Sequence, residues 1–204
     1  MVRPTPHARE AGPPAVVSGT VIGDSSAPPA PTDDGDGSSR PAIQVHRARV
    51  ADVRQIKELV DVYAGQILLE KSLATLYENV TECWVATAAD RVVGCGALHV
   101  LWEDLAEIRT VATDPALRGR GVGRVVCEEI ITEARRIGVT RLFVLTFEVS
   151  FFAGLGFEPI GELDLSEQAY AELRSSYDAG VAEFLDLPFV KPNTLGNTRM
   201  LKHL

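Results

Sequence analysis

The sequence predicts an α+β domain built on a mixed, mainly antiparallel sheet, and three observations lead to that fold class. Two short apolar runs, residues 83–87 and 92–100, flank a tight turn at residues 89–91 and predict a β-hairpin. A third strand, residues 105–113, leads through a glycine-rich bend into a long helix that begins near Gly121. An apolar strand, residues 141–147, follows that helix, and a crossover helix beside a hairpin is typical of α+β folds.

The remaining elements follow from the same kinds of pattern along the chain. Residues 44–48 alternate loosely between apolar and polar side chains, as in a first strand. Asp52 precedes a helical apolar face that runs to Tyr63, and Gln55 completes a capping-box pattern. The other predicted elements are a helix over residues 72–77, a short helix over 151–155 capped by Ser150, a helix over 166–177 and a last strand over 197–201.

Composition divides the chain into a tail and one domain. Residues 1–41 are rich in proline, glycine, serine and aspartate and have no sustained apolar period, so we expect a disordered N-terminal tail. Residues 42–204 then form a single folded domain, which suits a chain of 204 residues that is 46% hydrophobic.

Charge and cysteine content disfavour several classes of protein. A net charge of −8 and a pI near 5.0 argue against a nucleic-acid partner. No apolar run approaches the ~18 residues needed to span a bilayer, so we expect a cytoplasmic protein without a membrane partner. Cys83, Cys95 and Cys127 lack metal-ligand spacing and are odd in number, so we expect no metal and no disulfide framework.

The glycine-rich bend predicts an anion site. Its sequence, Arg118-Gly119-Arg120-Gly121-Val122-Gly123, places glycines and arginines at a helix start, where unpaired amides and the helix dipole attract phosphate groups. The bend lacks the Gly-Lys-Ser/Thr of a P-loop, and its G-x-G-x-G spacing differs from the Rossmann G-x-G-x-x-G. An ordinary glycine-rich helix cap is the alternative interpretation.

Two motifs resemble a known superfamily when they are taken together. The R-x-x-G-x-G pattern of residues 118–123, after a strand that ends in V-A-T-D-P, resembles the acetyl-CoA loop of the GNAT N-acetyltransferases. The L-T-F…F-F-A-G-L-G-F pattern of residues 145–157 and the I-L-L-E-K segment of residues 67–71 are similar to short, stand-alone N-acetylglutamate synthases of the actinobacterial type. The resemblance covers roughly residues 43–204, and it implies a GNAT sheet flanked by helices, with a splayed central strand.

The resemblance also implies where acetyl-CoA would bind. A splayed strand leaves main-chain groups free, so Val111, Ala112 and Thr113 would bind the pantetheine arm, and an amide near Ala112 would stabilise the thioester oxyanion. The bend would hold the pyrophosphate, through Arg118, Gly119, Arg120, Gly121, Val122, Gly123 and Arg124. Phe152 stands where many family members have a tyrosine that protonates the leaving thiolate, so a side-chain acid is missing at that position.

The activity implied is transfer of acetyl from acetyl-CoA to the α-amine of L-glutamate, or of L-glutamine, in the first step of arginine biosynthesis. The amine must lose a proton near neutral pH, and Glu107 is the candidate base, acting directly or through water. Strand alternation places Glu107 on the face of Arg109 and Val111. A structural ion pair is the alternative role for Glu107.

The acceptor's carboxylates would need cationic partners, for which Lys71, Arg109 and Lys191 are candidates. Thr146 and Asn193 would add polar contacts. Glu148 lies in the region where long-form synthases place an arginine, which leaves glutamine or another amino acid open as the acceptor. His46 and His99 have no clustered partners in the sequence, and we expect both to be structural.

Two alternatives keep the acetyl-CoA site but change the function. One is an acetyltransferase for another small amine, which free amino-acid assays would distinguish. The other is a non-catalytic acetyl-CoA-binding sensor, which Phe152 motivates. The expected partners are acetyl-CoA and a small amino acid, and a homodimer is an open expectation because such domains often pair.

Overall fold

The computed structural model describes residues 42–161, 165–175 and 197–204 of the 204-residue chain. The predicted tail, residues 1–41, lies outside the described residues, so the boundary at residue 42 stays a prediction. The order of strands and helices in the described part follows the predicted order, with one additional strand.

A mixed sheet forms the centre of the domain. Within the described residues it has seven strands in the order β1-β2-β3-β4-β5-β7-β6, and neighbours are antiparallel except for the parallel pair β4–β5. The strands are β1 Gln44–Arg47, β2 Cys83–Ala88, β3 Arg91–Val100, β4 Leu105–Thr113, β5 Arg141–Thr146, β6 Glu158–Pro159 and β7 Thr198–His203. The predicted α+β class is confirmed, and the short edge strand β6 is the addition.

Helices pack against both faces of this sheet. They are α1 Val53–Asp61, α2 Leu73–Glu78, α3 Val122–Arg136, α4 Val149–Ala153 and α5 Glu167–Leu173. Two helices begin at the expected serines. Ser72 Oγ accepts the amide of Thr75 at 3.1 Å, and Ser166 Oγ accepts the amide of Ala169 at 3.1 Å.

The predicted capping box at the start of α1 is wrong. Asp52 instead accepts the amide of Arg49 at 2.7 Å, because a short 3₁₀ turn precedes the helix. Gln55 reaches across to β3, where its Oε1 accepts the amide of Val92 at 3.0 Å. The two polar side chains therefore tie α1 to its surroundings rather than cap it.

Two local boundaries also differ from expectation. The helix predicted at residues 151–155 begins earlier, at Val149, with Glu148 rather than Ser150 at the N-cap. The β2–β3 turn has two residues, Ala89 and Asp90, with positive φ values of 48° and 61°. Such a turn matches the twist of a hairpin, so Arg91 belongs to β3 instead of the turn.

The two faces of the sheet carry separate apolar cores. Ile130 and Phe157 belong to the cluster on the α3–α4 side, while Ile56 and Leu76 belong to the cluster on the α1–α2 side. A third, smaller cluster contains Leu105 of β4 with Phe143 and Leu173, so β4 contributes side chains to all three clusters.

The parallel strands β4 and β5 diverge along their length. Their pairing runs over residues 105–107 of β4 and residues 141–143 of β5, although β4 continues to Thr113. The splay predicted for the central strand is confirmed, and the gap it leaves positions the candidate site.

Candidate active site

The divergence of β4 and β5 opens a cleft of about 600 Å³, including its open mouth. Its walls come from the loop after α1, the second half of β4, the end of β5 and the start of α4. The lining residues are Tyr63, Ile67, Leu68, Ile108, Arg109, Thr110, Val111, Ala112, Thr113, Val144, Leu145, Thr146, Phe147, Glu148 and Phe152.

A β-bulge shapes the floor of the cleft. The register between β3 and β4 shifts between Arg109 and Ala112, so Thr110 and Val111 together stand opposite Gly96. Thr110 has a φ of 58°, which residues with a Cβ rarely adopt. The bulge bends β4 away from β5 at the point where the cleft begins.

The bulge also changes the face on which Val111 lies. Before the bulge, Ile108 packs into the α3-side cluster, which leaves Glu107 and Arg109 on the α1 side. After it, Val111 again packs against the α3-side cluster, and Ala112 belongs to the α1-side cluster. The predicted common face of Glu107, Arg109 and Val111 is therefore wrong, because one extra residue breaks the alternation.

At the end of β4, the carbonyl of Thr113 faces the cleft. The amide of Asp114 donates to Val93 O at 2.8 Å, so alternation turns the preceding carbonyl away from β3. Tyr63 Oη donates to that carbonyl at 2.6 Å. Ala112, by contrast, pairs with Cys95 of β3, so its main chain is directed towards the sheet.

The start of α3 forms the end of the site nearest Thr113. Gly119 and Gly121 have φ values of 74° and 77°, and a Cβ on either would meet no atom within 4 Å. The amide of Val125 donates to Gly121 O at 3.1 Å, so the amides of residues 122–124 precede the first helical hydrogen bond. The bend therefore presents accessible main chain and unpaired helix-start amides to a ligand.

Close packing fixes that helix start beside the cleft. A Cβ at Gly123 would stand 3.5 Å from both the Phe151 ring and Cγ2 of Thr113. A Cβ at Gly94 of β3 would stand 2.5 Å from Cγ1 of Val122. The absence of a side chain at Gly94 thus lets the first turn of α3 lie directly on the sheet, whereas a Cβ at Gly123 would make an ordinary van der Waals contact.

The arginines of the bend are placed differently from one another. Arg118 and Arg120 are exposed. Arg124 donates to Glu128 Oε1 and to Gly154 O, both at 3.2 Å, so it braces α3 against the end of α4. Arg118 and Arg120 are the better placed of the three to neutralise a bound anion.

A partly buried polar cluster surrounds Arg109 of the cleft lining, on the α1 side of the sheet. Arg109 Nη2 donates to Glu82 Oε2 at 3.1 Å, and His99 Nδ1 lies 3.0 Å from each Glu82 oxygen. Burial raises the pKa of Glu82, but the hydrogen bonds and charges of His99 and Arg109 outweigh it and hold that pKa below its ordinary value. The expectation that His99 has no clustered partner is therefore wrong.

Glu107 lies next to this cluster. It is 5% exposed and pairs across the sheet with His99 on one side and Phe143 on the other. The residues that follow it, Ile108 and Arg109, line the cleft, whereas Glu107 is not among the lining residues. A proton from the cleft would therefore reach its carboxylate through an intermediary such as water.

Two other candidates stand at the far wall. Thr146 is 6% exposed, and its Oγ1 accepts the amide of Glu148 at 2.8 Å, which fixes the turn into α4. Phe152 packs edge-to-face on Phe151 and Phe157, with ring centroids 5.0 and 5.4 Å apart. The cleft wall at Phe152 is therefore hydrocarbon.

Among the predicted acceptor-binding residues, Lys71 is not part of the cleft lining. It precedes the Ser72 cap of α2, and its charge acts on the Cys83 thiol. Lys191 and Asn193 lie outside the described residues, so their roles stay predictions.

The three cysteines are buried free thiols. Burial raises the pKa of Cys83 to about 11 and the pKa of Cys95 and of Cys127 to about 12. They are therefore protonated near neutral pH and poorly suited to a covalent acetyl relay. Among the described residues no group of three or more His, Cys, Asp or Glu side chains could hold a metal ion.

Sequence reasoning missed several residues of the site. In the sequence, Tyr63 is the last residue of the apolar face predicted for α1, and nothing there indicates a role in the site. Ile67 and Leu68 form only a short apolar run. Thr110 has no local signal for its positive φ, and Glu82 joins the cluster only through strand register.

A family model described as "Acetyltransferase (GNAT) family" matches residues 53–157. The chain belongs to the GNAT acetyltransferase family. The matched residues include α1, the bulge, the glycine-rich bend and α4, and every residue of the cleft lining lies within the matched range.

This acetyltransferase is similar to the amino-acid acetyltransferase of Mycobacterium tuberculosis, with 58% identity over 160 residues, or 77% of this chain and 92% of the relative. It is also 30% identical over 135 residues to the amino-acid acetyltransferase of Escherichia coli K12. That alignment covers 65% of this chain but only 30% of the Escherichia coli protein. The chain thus corresponds to about a third of the longer relative.

Solved structures agree with these relatives. Rv2747 from Mycobacterium tuberculosis, in complex with CoA and NLQ, has a TM-score of 0.76 at 57% identity and covers 79% of this chain and 99% of its own. N-acetylglutamate synthase from Neisseria gonorrhoeae, with coenzyme A and N-acetyl-glutamate, has a TM-score of 0.64 at 26% identity and covers 80% of this chain and 35% of its own.

The predicted superfamily, its fold and the class of acetyl-CoA-dependent amino-acid N-acetyltransferase are confirmed. In the part of the chain that the structure describes, no helix has the length and apolar character needed to cross a bilayer.

Proposed function

We propose that the enzyme transfers the acetyl group of acetyl-CoA to the α-amine of L-glutamate, the first step of arginine biosynthesis. One observation carries the proposal: residues 109–113 of β4 line the β4–β5 cleft, the open N-terminus of α3 lies beside Thr113, and the buried carboxylate of Glu107 lies two residues before Arg109 on the same strand. The bound N-acetyl-glutamate of the gonococcal synthase supports this choice of acceptor.

The cofactor would lie along β4. Its pyrophosphate would accept hydrogen bonds from the amides of residues 122–124, and Arg118 and Arg120 would supply positive charge. The pantetheine arm would then follow the strand from Thr113 towards the bulge. The direction of the Thr113 carbonyl supports this path, since it faces the cleft rather than β3.

The transfer would proceed in a ternary complex. The acceptor nitrogen forms a bond to the thioester carbon, the carbon–sulfur bond breaks, and the amine's proton passes through water to Glu107. Strand amides at the bulge would stabilise the developing oxyanion. Phe152 cannot donate a proton, so the thiolate, whose thiol has a pKa of ~8.5, would leave without a side-chain acid.

Arg109 would bind an acceptor carboxylate, and Thr146 would add a polar contact from the wall. A guanidinium offers several donors in a fixed plane, so one edge can hold Glu82 while another faces the cleft. Lys71, Lys191 and Asn193 stay predictions as further acceptor contacts.

L-glutamine is a second candidate acceptor, because Glu148 lines the cleft. A carboxylate there repels a second acceptor carboxylate but tolerates a neutral amide. A cytoplasmic location and a homodimer remain predictions that the cleft does not address.

Thiol release from acetyl-CoA, measured with each amino acid in turn, tests the proposal. We expect saturable turnover with glutamate, lost in Arg109→Ala and kept in Arg54→Ala, an exposed residue on α1. Turnover with glutamine alone would select the second candidate, and turnover with a different amine would select the small-amine alternative. Tight acetyl-CoA binding without turnover for any amine would identify a sensor instead.

A further inference from the structure

A short loop after α1 covers the cleft, and we call residues 63–68 the roof segment. Ile67 and Leu68 contribute its two apolar lining side chains. Gly65 takes a φ of 73°, and its amide donates to Leu68 O at 2.9 Å, which turns the segment back on itself. The roof is therefore a compact turn opposite the floor of β4.

Tyr63 holds this turn through its main chain. Its carbonyl oxygen accepts the amides of Gln66, Ile67 and Leu68, each at 3.2 Å. The three amides converge on one acceptor, so the position of the Tyr63 main chain determines where the Ile67 and Leu68 side chains lie.

The side chain of the same residue joins the roof to the floor. Tyr63 Oη donates to the Thr113 carbonyl at 2.6 Å, across 50 residues of sequence, and the residue is 6% exposed. Burial raises the pKa of the phenol, so it remains a neutral donor near neutral pH. Tyr63 is thus the residue of the described roof that bonds to β4 through its side chain and to the turn through its main chain.

We propose that Tyr63 is a positioning residue for the acceptor: its hydroxyl sets the height of the roof over β4, and so the space in which the amine approaches the acetyl group. The inference rests on the proposed function. When the Tyr63 hydroxyl is removed, the Thr113 carbonyl stays in place on β4 and remains available to the cofactor arm, whereas the roof segment loses its side-chain bond to β4. Loss of the hydroxyl should therefore act on acceptor binding more than on acetyl-CoA binding.

Steady-state kinetics of Tyr63→Phe test this inference, since the substitution keeps the ring and removes one hydrogen bond. We expect the acceptor KM to rise about five- to tenfold, while the KM for acetyl-CoA and kcat each change less than about twofold, because one hydrogen bond has a modest net effect. Tyr77→Phe is the matched control, because Tyr77 is 38% exposed on α2, and both of its KM values should be unchanged.

Gly65→Ala is a second, independent variant. A Cβ at Gly65 would meet no atom within 4 Å, so the substitution strains the roof turn without adding a contact. It should raise the acceptor KM in the same selective way, and thermal unfolding of both variants should show folded protein.

An unchanged acceptor KM in folded Tyr63→Phe and Gly65→Ala would overturn the inference, as would equal rises in both KM values. Absence of turnover in the wild-type enzyme with every amino acid would instead refute the proposed function, so the two failures are distinguishable.

Discussion

The two ends of the cleft are built from different parts of the polypeptide. The proposed cofactor end would use main-chain amides from consecutive residues at the start of α3, with exposed glycines in front of them. The proposed acceptor end would use side chains that come from separate elements and are wholly or partly buried: Glu82 precedes β2, His99 lies on β3, and Glu107 and Arg109 lie on β4.

This difference predicts opposite responses to mutation. A main-chain site is insensitive to most side chains but sensitive to any added Cβ in the left-handed region. A site built from side chains responds in the opposite way. Replacing one charged side chain by a neutral one of the same shape removes the chemistry while the backbone stays in place. Substitutions at each end, with matched controls, therefore test whether the division is real.

The largest effect should come from Glu107→Gln at the acceptor end. The amide is isosteric but cannot take the amine's proton, so kcat should fall about 10²- to 10³-fold, in the range of general-base catalysis. Thiol release at saturating substrates measures it. Acetyl-CoA affinity should be unchanged, because the cofactor end is untouched.

Glu58→Gln on the exposed face of α1 is the control for that variant, and its kcat should equal that of the wild type. A kcat for Glu107→Gln within about threefold of wild type would assign Glu107 the structural ion-pair role instead.

The next largest effect concerns stability and pH. Glu82→Gln removes the negative charge that His99 and Arg109 share, and it should lower the free energy of unfolding by about 2 kcal/mol at pH 7. Breaking a fully buried ion pair lowers it by ~3–5 kcal/mol. The lower value follows because the Glu82 side chain is 28% exposed. Urea denaturation of both proteins across the pH range measures the difference.

The sign of the pH dependence follows from the lowered pKa of Glu82. Its folded-state pKa lies below the unfolded value of ~4.3, so its contribution is present above that pH and is lost as pH falls through the folded pKa. The difference in free energy of unfolding between the wild type and Glu82→Gln should therefore shrink below about pH 4. A gap that stays constant with pH would contradict this. Asp61→Asn, which loses an exposed pair with Lys57, should change stability by less than ~1 kcal/mol.

The cofactor end is tested by two glycines at opposite ends of α3. Gly121 and Gly138 have φ values of 77° and 91°, and a Cβ on either meets no atom within 4 Å. Alanine strains both positions by ~1 kcal/mol or more. We expect Gly121→Ala to raise the KM for acetyl-CoA about tenfold, while Gly138→Ala lowers stability similarly and leaves that KM unchanged.

The same division explains how much of the molecule the sequence could predict. The glycine-rich bend is local: glycine spacing, the arginines and the helix start all lie within residues 118–124, and family resemblance added the acetyl-CoA interpretation. The strand order was also accessible, because the hairpin and the crossover helix each leave a local pattern.

The acceptor end was less accessible because it depends on register. Thr110 shows no glycine or proline signal, yet its positive φ moves Val111 to the other face of β4. Glu82 and His99 lie 17 residues apart and meet only because β2 and β3 pair as they do. Gln55 looked like a local cap but bonds to Val92, so tertiary contact outweighed a local pattern.

The smallest expected effect distinguishes charge from main chain within the cofactor end itself. Arg118→Gln with Arg120→Gln removes two exposed charges but leaves every amide in place. The KM for acetyl-CoA should rise about threefold at low salt, and the rise should vanish near ~1 M salt, where charges are screened beyond ~3 Å. Arg49→Gln with Arg54→Gln changes the net charge equally at two exposed positions outside the bend and the cleft lining, and it should have no effect on this KM. A large rise in the KM for acetyl-CoA that does not depend on salt, in the first double variant, would mean that the arginines hold the cofactor by direct buried contacts. The main chain alone would then not define this end of the cleft.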